Sequence, residues 1–302
     1  MIVKVSALQT AGAPSGLPGR ILQFPLIRSL LAALFIAVPI TAHNLLAIYV
    51  LEKIPKPYFS YILDAETILV FLGIMYAFRI YTRVVERRTA HEFLFTKSLP
   101  ESAAGFGISA GMVGVVVLLM AVLSYYKISS IGSPAILLHA FFTFGIGALV
   151  QEIVVRGILF RNVEELLGSW ATLAIIAVLF GLVHLGNENA TLWTSAAIAV
   201  ADIALTGAYM LTRRMWLVWS MHFGWNFFQD GVFGMPNSGI TSLASWITPD
   251  IKGPNWITGG SFGIEASYIT LILSVAVGIV FLYYAIKKGQ IVSPRWRWAK
   301  SE

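Results

Sequence analysis

Between residues 151 and 230 an apolar stretch of the chain carries three pairs of side chains, each with at least one ionisable group. In Gln151-Glu152-Ile-Val-Val-Arg156 a carboxylate and a guanidinium lie four residues apart, on one face of a helix, where they can pair. In Phe180-Gly-Leu-Val-His184 a phenyl ring and an imidazole are stacked one turn apart. In His222-Phe-Gly-Trp-Asn226 an imidazole and a carboxamide project from one face. A buried carboxylate is a competent base for water. Amide and imidazole donors one turn apart can converge on a single oxygen. Taken singly, each pair also has a plainer reading, as a structural ion pair or a packing histidine. Other intramembrane polar groups, His43, Asp64, Glu66, His139 and Asp202, have no partner that spacing identifies; Asp230, one turn beyond Asn226, would support that pair. Gly107-Ile-Ser109-Ala-Gly111 has the form of a serine-nucleophile motif, which needs a strand–turn–helix setting. Here it falls inside a helical run, and Gly107, Gly111 and Gly114 have the spacing of a helix-packing face.

The elements that must hold these residues are transmembrane helices. The 302 residues are 57% hydrophobic and 12% charged, with mean hydropathy +0.77. A water-soluble domain carries about 25% charged residues. Apolar runs of about 20 residues suffice to cross a bilayer core, and are too long for barrel strands. They fall at roughly 29–51, 58–82, 104–126, 134–157, 170–186, 191–212, 215–233 and 266–286. The expected fold is an all-α, polytopic bundle of about eight transmembrane helices, with a cytoplasmic segment 1–28, a bundle over 29–286 whose core is about 134–233, and a basic tail 287–302. Met1 to Pro25 has Gly and Pro breaks and no continuous apolar run, so the first span is expected to target the chain.

With the N-terminus cytoplasmic, seventeen Lys and Arg fall inside and only Lys53, Lys56, Lys127 and Lys252 outside. That asymmetry predicts both termini in the cytoplasm. It also explains the net charge of +6 by topology and anionic lipid rather than by nucleic acid. The chain has no cysteine, which excludes disulfides and thiol chemistry. No internal repeat is evident, which counts against the common transporter plans. Segment 233–265, rich in Gly, Ser, Pro and Trp, reads as an outer loop near the interface.

The spans constrain one another. Glu152 lies sixteen residues before Gly168 and His184 sixteen after it, so a hairpin about Gly168 brings both to one depth. His222 lies only eight residues past Arg214, which fits if the polar stretch Arg161 to Glu165 projects into the cytosol.

The three motifs, in this order and spacing, resemble those of the CAAX-processing and bacteriocin-processing membrane endopeptidases, the Abi or type II CAAX prenyl protease family. The family pattern is Glu-Glu-x-x-x-Arg, Phe-x-x-x-His, then His-x-x-x-Asn, and the resemblance covers about 134–233. It implies an intramembrane endopeptidase in which a carboxylate at position 151 and His184 activate water. His222 and Asn226 would stabilise the oxyanion, and Glu152 would be tied to Arg156. A divalent metal such as zinc, held by Glu152, His184 and His222, is the second form of this chemistry; no His-Glu-x-x-His motif is present. The implied partners are the bilayer and a membrane-associated peptide or protein, prenylated or not, in a prokaryotic cell membrane.

The chain departs from the pattern at Gln151, which is nearly isosteric with Glu but accepts no proton. An inactivating substitution, a natural non-catalytic scaffold, and a chain in which Glu152 is the base all fit this departure. A transporter using Glu152, Arg156, His184 and His222 as a relay is the remaining alternative.

Overall fold

The computed structural model describes residues 21–49, 56–241 and 245–294. Lys4, Arg20, Lys53, Arg295, Arg297 and Lys300, and the side chains of His43, Lys56, Asp64 and Glu66, lie outside the described residues.

The fold is nearly all-α. Its long helices are α1 (Pro25–Tyr49), α2 (Lys56–Val84), α3 (Ser98–Val122), α4 (Ile136–Glu152), α5 (Arg161–Val183), α6 (Leu192–Thr212), α7 (Met215–Asn226) and α9 (Tyr268–Lys287), with the single turn α8 (Asn255–Thr258) before the last. Five helical stretches among the described residues are long and apolar enough to cross a bilayer: Pro25–Ala42, Ser98–Val122, Ile136–Gly186, Leu192–Thr212 and Tyr268–Lys287. Ile136–Gly186 runs for 51 residues, more than twice what a bilayer core of about 30 Å takes up. Gly168 breaks it, with φ +77° and ψ 168°. The two arms fold back, and the Arg156 guanidinium, twelve residues before the break, lies 5.4 Å from the centre of the Phe180 ring, twelve residues after it. The hairpin register expected about Gly168 is the observed one. A side chain at 168 would strike Pro294 and the Val292 carbonyl at 2.9 Å, so the break also makes room for the chain that follows α9.

Two helices change pitch where the motifs end. Ile153–Phe160 continues α4 as a π-helix, and Phe227–Val232 continues α7 in the same way. Such wider turns are rare and cluster at functional sites. Here they fall directly after Glu152 and Asn226.

Helix α3 lies along α7 through Gly105, whose missing side chain admits Ser220 and the Leu217 carbonyl. The packing expected at Gly107, Gly111 and Gly114 is not there. A β-carbon at any of the three meets nothing within 4 Å, because they face away from α7. Ser109 is buried and gives its hydroxyl to the Met221 carbonyl at 2.6 Å, a packing role.

Not all of the chain is helical. Tyr126–Ile131 (β1) and Ile247–Ile251 (β2) pair antiparallel, with Tyr126 opposite Ile251 and Ile131 opposite Ile247. Segment 233–265 is therefore no simple interfacial loop. Past β2 it turns inward, burying Phe262, Ile264 and Glu265.

At the far end of α3 from this clasp, the expected cytosolic projection of Arg161 to Glu165 is also corrected. Arg161, Asn162 and Glu164 are buried. Arg161 pairs with Glu86. Arg88 bridges Glu86 (2.6 Å) and both oxygens of Glu92 (2.9 and 2.7 Å), and Glu165 pairs with Arg28. Arg213, left-handed at the end of α6, holds both oxygens of Glu164 (2.5 and 2.9 Å) and the carbonyl of Gln290. A polar stretch can be buried when each charge meets its opposite, and here each does.

Candidate active site

The three motifs converge. Glu152 ends α4, fully buried. Its Oε1 accepts from Arg156 at 3.0 Å and from the His222 Nδ1–H of α7 at 2.7 Å. Arg156, also fully buried, reaches on to Asp202 of α6, and Thr206 donates to Asp202 Oδ2 at 3.1 Å. One guanidinium thus serves two carboxylates, and Glu152 Oε2 has no partner among the described residues.

His184 caps the C-terminal end of α5 and is half-buried. Its Nδ1 lies 2.7 Å from the Phe180 carbonyl. A carbonyl only accepts, so Nδ1 carries the proton and Nε2 keeps its lone pair in the neutral ring. The Phe180 ring holds the assembly together: its centroid is 4.7 Å from that of His184 and 6.3 Å from that of His222.

His184, His222, Asn226 and Asp202 line one cavity of about 70 Å³. One water needs about 10–15 Å³ of such room, so the cavity holds several. Its far wall is Ser238 and Glu265 from the segment after α7. Asn226 is half-buried there, and no group among the described residues takes up its carboxamide.

The residues predicted from sequence separate into three positions. His184, His222 and Asn226 face the cavity. Glu152 and Arg156 sit one layer behind His222. Gln151 is exposed and lines no part of the cavity. Neighbours on a helix are about 100° apart, so the turn that buries Glu152 carries Gln151 to the flank. His139 is exposed, 3.5 Å from Thr143 of its own helix, and Asp230 is buried in the π-helical segment. Glu152, His184 and His222, the set named for a metal if one is present, do not group as a metal site among the described residues. The His222 nitrogen nearest Glu152 is engaged by that carboxylate.

Two site residues were missed. Asp202 had a usable signal, because an acid in an apolar span needs a cation and Arg156 was the nearest in the core. Glu265 had none, standing in an irregular segment with no charged neighbour at helical spacing.

Comparison with known proteins gives one match. Residues 133–228 match the family model described as type II CAAX prenyl endopeptidase Rce1-like, over about a third of the chain. No curated protein and no solved structure matches.

Proposed function

Because residues 133–228 of this integral membrane protein belong to the Rce1-like family of type II CAAX prenyl endopeptidases, we propose that the chain hydrolyses a peptide bond of a membrane-associated substrate with water activated in the cavity between α5, α6 and α7. The observation that carries this reading is the different partner of each imidazole. His184 Nδ1 bonds a neutral carbonyl, which leaves Nε2 as a lone pair able to take a proton from water. His222 Nδ1 bonds the carboxylate of Glu152, in a network with two acids and one guanidinium. In this reading Glu152 stands behind the ring and His222 faces the cavity as a donor through Nε2–H. Groups whose surroundings set them apart in this way divide into base and acid.

In this mechanism water in the cavity gives a proton to His184 as its oxygen bonds to the carbonyl carbon. The oxyanion that develops takes hydrogen bonds from Asn226 and His222, each such donor being worth about 10²–10³-fold in rate. Glu152 and Arg156 position His222, with Asp202 holding Arg156 in place. Gln151 takes no part, which supports an active chain over a non-catalytic scaffold. The eight-helix topology with both ends cytoplasmic, the division at 29–286 and a prokaryotic cell membrane complete the reading. The ion pairs that tie Arg28, Glu86, Glu92, Arg161 and Arg213 into one end of the bundle support that sidedness.

The test is hydrolysis of a lipid-anchored peptide by the full chain in vesicles, in water enriched with ¹⁸O. One ¹⁸O in the new carboxylate, and no turnover after His184→Ala, is the expected result. A protein that cleaves nothing, prenylated or acylated, ends the reading. A cleavage that His184→Ala leaves intact ends the assignment of the base.

A further inference from the structure

Glu265 lies outside the three motifs and beyond residues 133–228, in a one-turn helix, Ile264–Ala266, just before α9. It is 6% exposed and lines the cavity with His184, His222 and Asn226. Ser238 fixes it from the segment after α7: the backbone N–H donates to Oε2 at 2.6 Å and the hydroxyl to Oε1 at 3.1 Å. The ionisable groups that line the cavity with it are Asp202 of α6, His184 of α5 and His222 of α7. Asp202 is committed to Arg156 and Thr206. Among the described residues no Lys or Arg lines the cavity. Glu265 is therefore the carboxyl on the cavity wall that no cation among the described residues holds.

We propose that Glu265 is a catalytic residue of the hydrolysis, the acid that gives its proton to the departing amine. The assignment rests on the endopeptidase reading above. His184 Nε2 takes one proton from water as the water oxygen bonds to the peptide carbon. The carbon–nitrogen bond then breaks, and the Glu265 O–H proton passes to the nitrogen. The imidazolium returns its proton through cavity water to the Glu265 carboxylate, so that one water is consumed for one bond broken. Burial pushes the Glu265 carboxyl up to about 7, against hydrogen bonds from Ser238, Gln229 and Trp225 that pull the other way. A group so placed holds a proton near neutral pH and releases it readily.

Rates from the full chain in vesicles, followed from about pH 5 to pH 9, test the proposal. The unmodified protein should lose rate above about pH 7 as Glu265 ionises. Glu265→Gln keeps an oxygen to accept from the Ser238 N–H, its amide nitrogen donating to the Ser238 hydroxyl in place of the second bond, and should lower kcat by about 10²-fold or more with KM little changed. It should also abolish the alkaline fall, whereas Glu265→Asp should keep it. An unchanged kcat and an unchanged alkaline limb in Glu265→Gln, with His184→Ala inactive, overturns the proposal and leaves the endopeptidase reading standing. Absence of hydrolysis in every form, the unmodified protein included, overturns both. A second readout is independent of turnover. The apolar carbodiimide DCCD adds to protonated carboxyls, and should label Glu265 near pH 6 but not near pH 9. Folded protein that gains no adduct at Glu265 near pH 6 also overturns it.

Discussion

Two networks of buried charge stand in this bundle, and they are built on different rules. At one end, Glu86, Glu92 and Glu164 meet Arg88, Arg161 and Arg213, three acids to three guanidiniums. Arg88 and Arg213 each grip a carboxylate by both oxygens, and Ser169 and the Gln290 carbonyl fill remaining positions. Beside the cavity, Glu152 and Asp202 share Arg156 alone, an imidazole stands in for the second cation, and one oxygen of Glu152 is left over. The balanced network is a fastening. The unbalanced one lies against the cavity, with His222 and Asp202 on its wall. Charge count, more than burial, separates the two.

The largest expected effect probes that separation directly. His184→Ala should lower hydrolysis by about 10²–10⁴-fold while leaving the thermal midpoint in detergent almost unmoved, since His184 is half-buried and bonded only within its own turn. A large fall in the midpoint would make the cavity side structural as well and erase the contrast.

The second compares the guanidiniums. Arg213→Ala and Arg156→Ala each leave buried carboxylates unpaired, a loss of about 3–5 kcal/mol. The distinction is in what rescues them. Replacing Glu164 and Arg213 together by apolar residues should restore stability and keep hydrolysis. Replacing Glu152 and Arg156 together should restore neither, because Asp202 then has no cation and His222 no carboxylate behind it. Unfolding and turnover measured on both double variants decide it.

The third concerns pH. The Glu265 carboxyl is raised from 4.5 to about 7, so its contribution to stability is complete below about pH 4.5 and is lost as pH rises through about 7. The loss amounts to about 3 kcal/mol. Midpoints measured across that window should fall for the unmodified protein, and less steeply for Glu265→Gln. Parallel curves would place Glu265 in water.

The smallest effect is expected where the family pattern points most strongly. Gln151 is exposed and off the cavity, so Gln151→Glu should change stability by no more than about 0.5 kcal/mol and leave the rate unchanged. Hydrolysis that begins only with Glu at 151 would move the base to the flank of α4.

Much of this site is legible in the sequence because its geometry is local. A helix fixes residues four apart, so Glu152 with Arg156, Phe180 with His184 and His222 with Asn226 could be paired on paper. The hairpin about Gly168 extended that logic across two helices, and the contact of Arg156 with Phe180 obeys it. What escaped depends on the third dimension. Asp202 meets Arg156 across 46 residues of chain, and β1 meets β2 across more than a hundred. Arg161 to Glu165 looked fit for water because their opposites sit in other segments. The glycine stripe at 107, 111 and 114 had the right spacing on the wrong face, while Gly105, two residues before it, makes the contact. The π-helical turns have no periodic signature to read, and they decide where Arg156 and Asp230 point.

The short stretch after α9 has a consequence in time as well as in space. Gln290 gives Arg213 its carbonyl, and Val292 exchanges two bonds with Ser169 beside the Gly168 break. Ribosomes deliver these atoms after all eight long helices, at about 5–20 residues per second. Until they arrive, the Arg213–Glu164 pair lacks its backbone clamp and the hollow at Gly168 stands open. The fastening at that end of the bundle is thus tied last, by a few residues that cross nothing. A nick after Lys287 would leave the clamp on the Arg213–Glu164 pair, more than seventy residues upstream of the cut, held by no covalent bond.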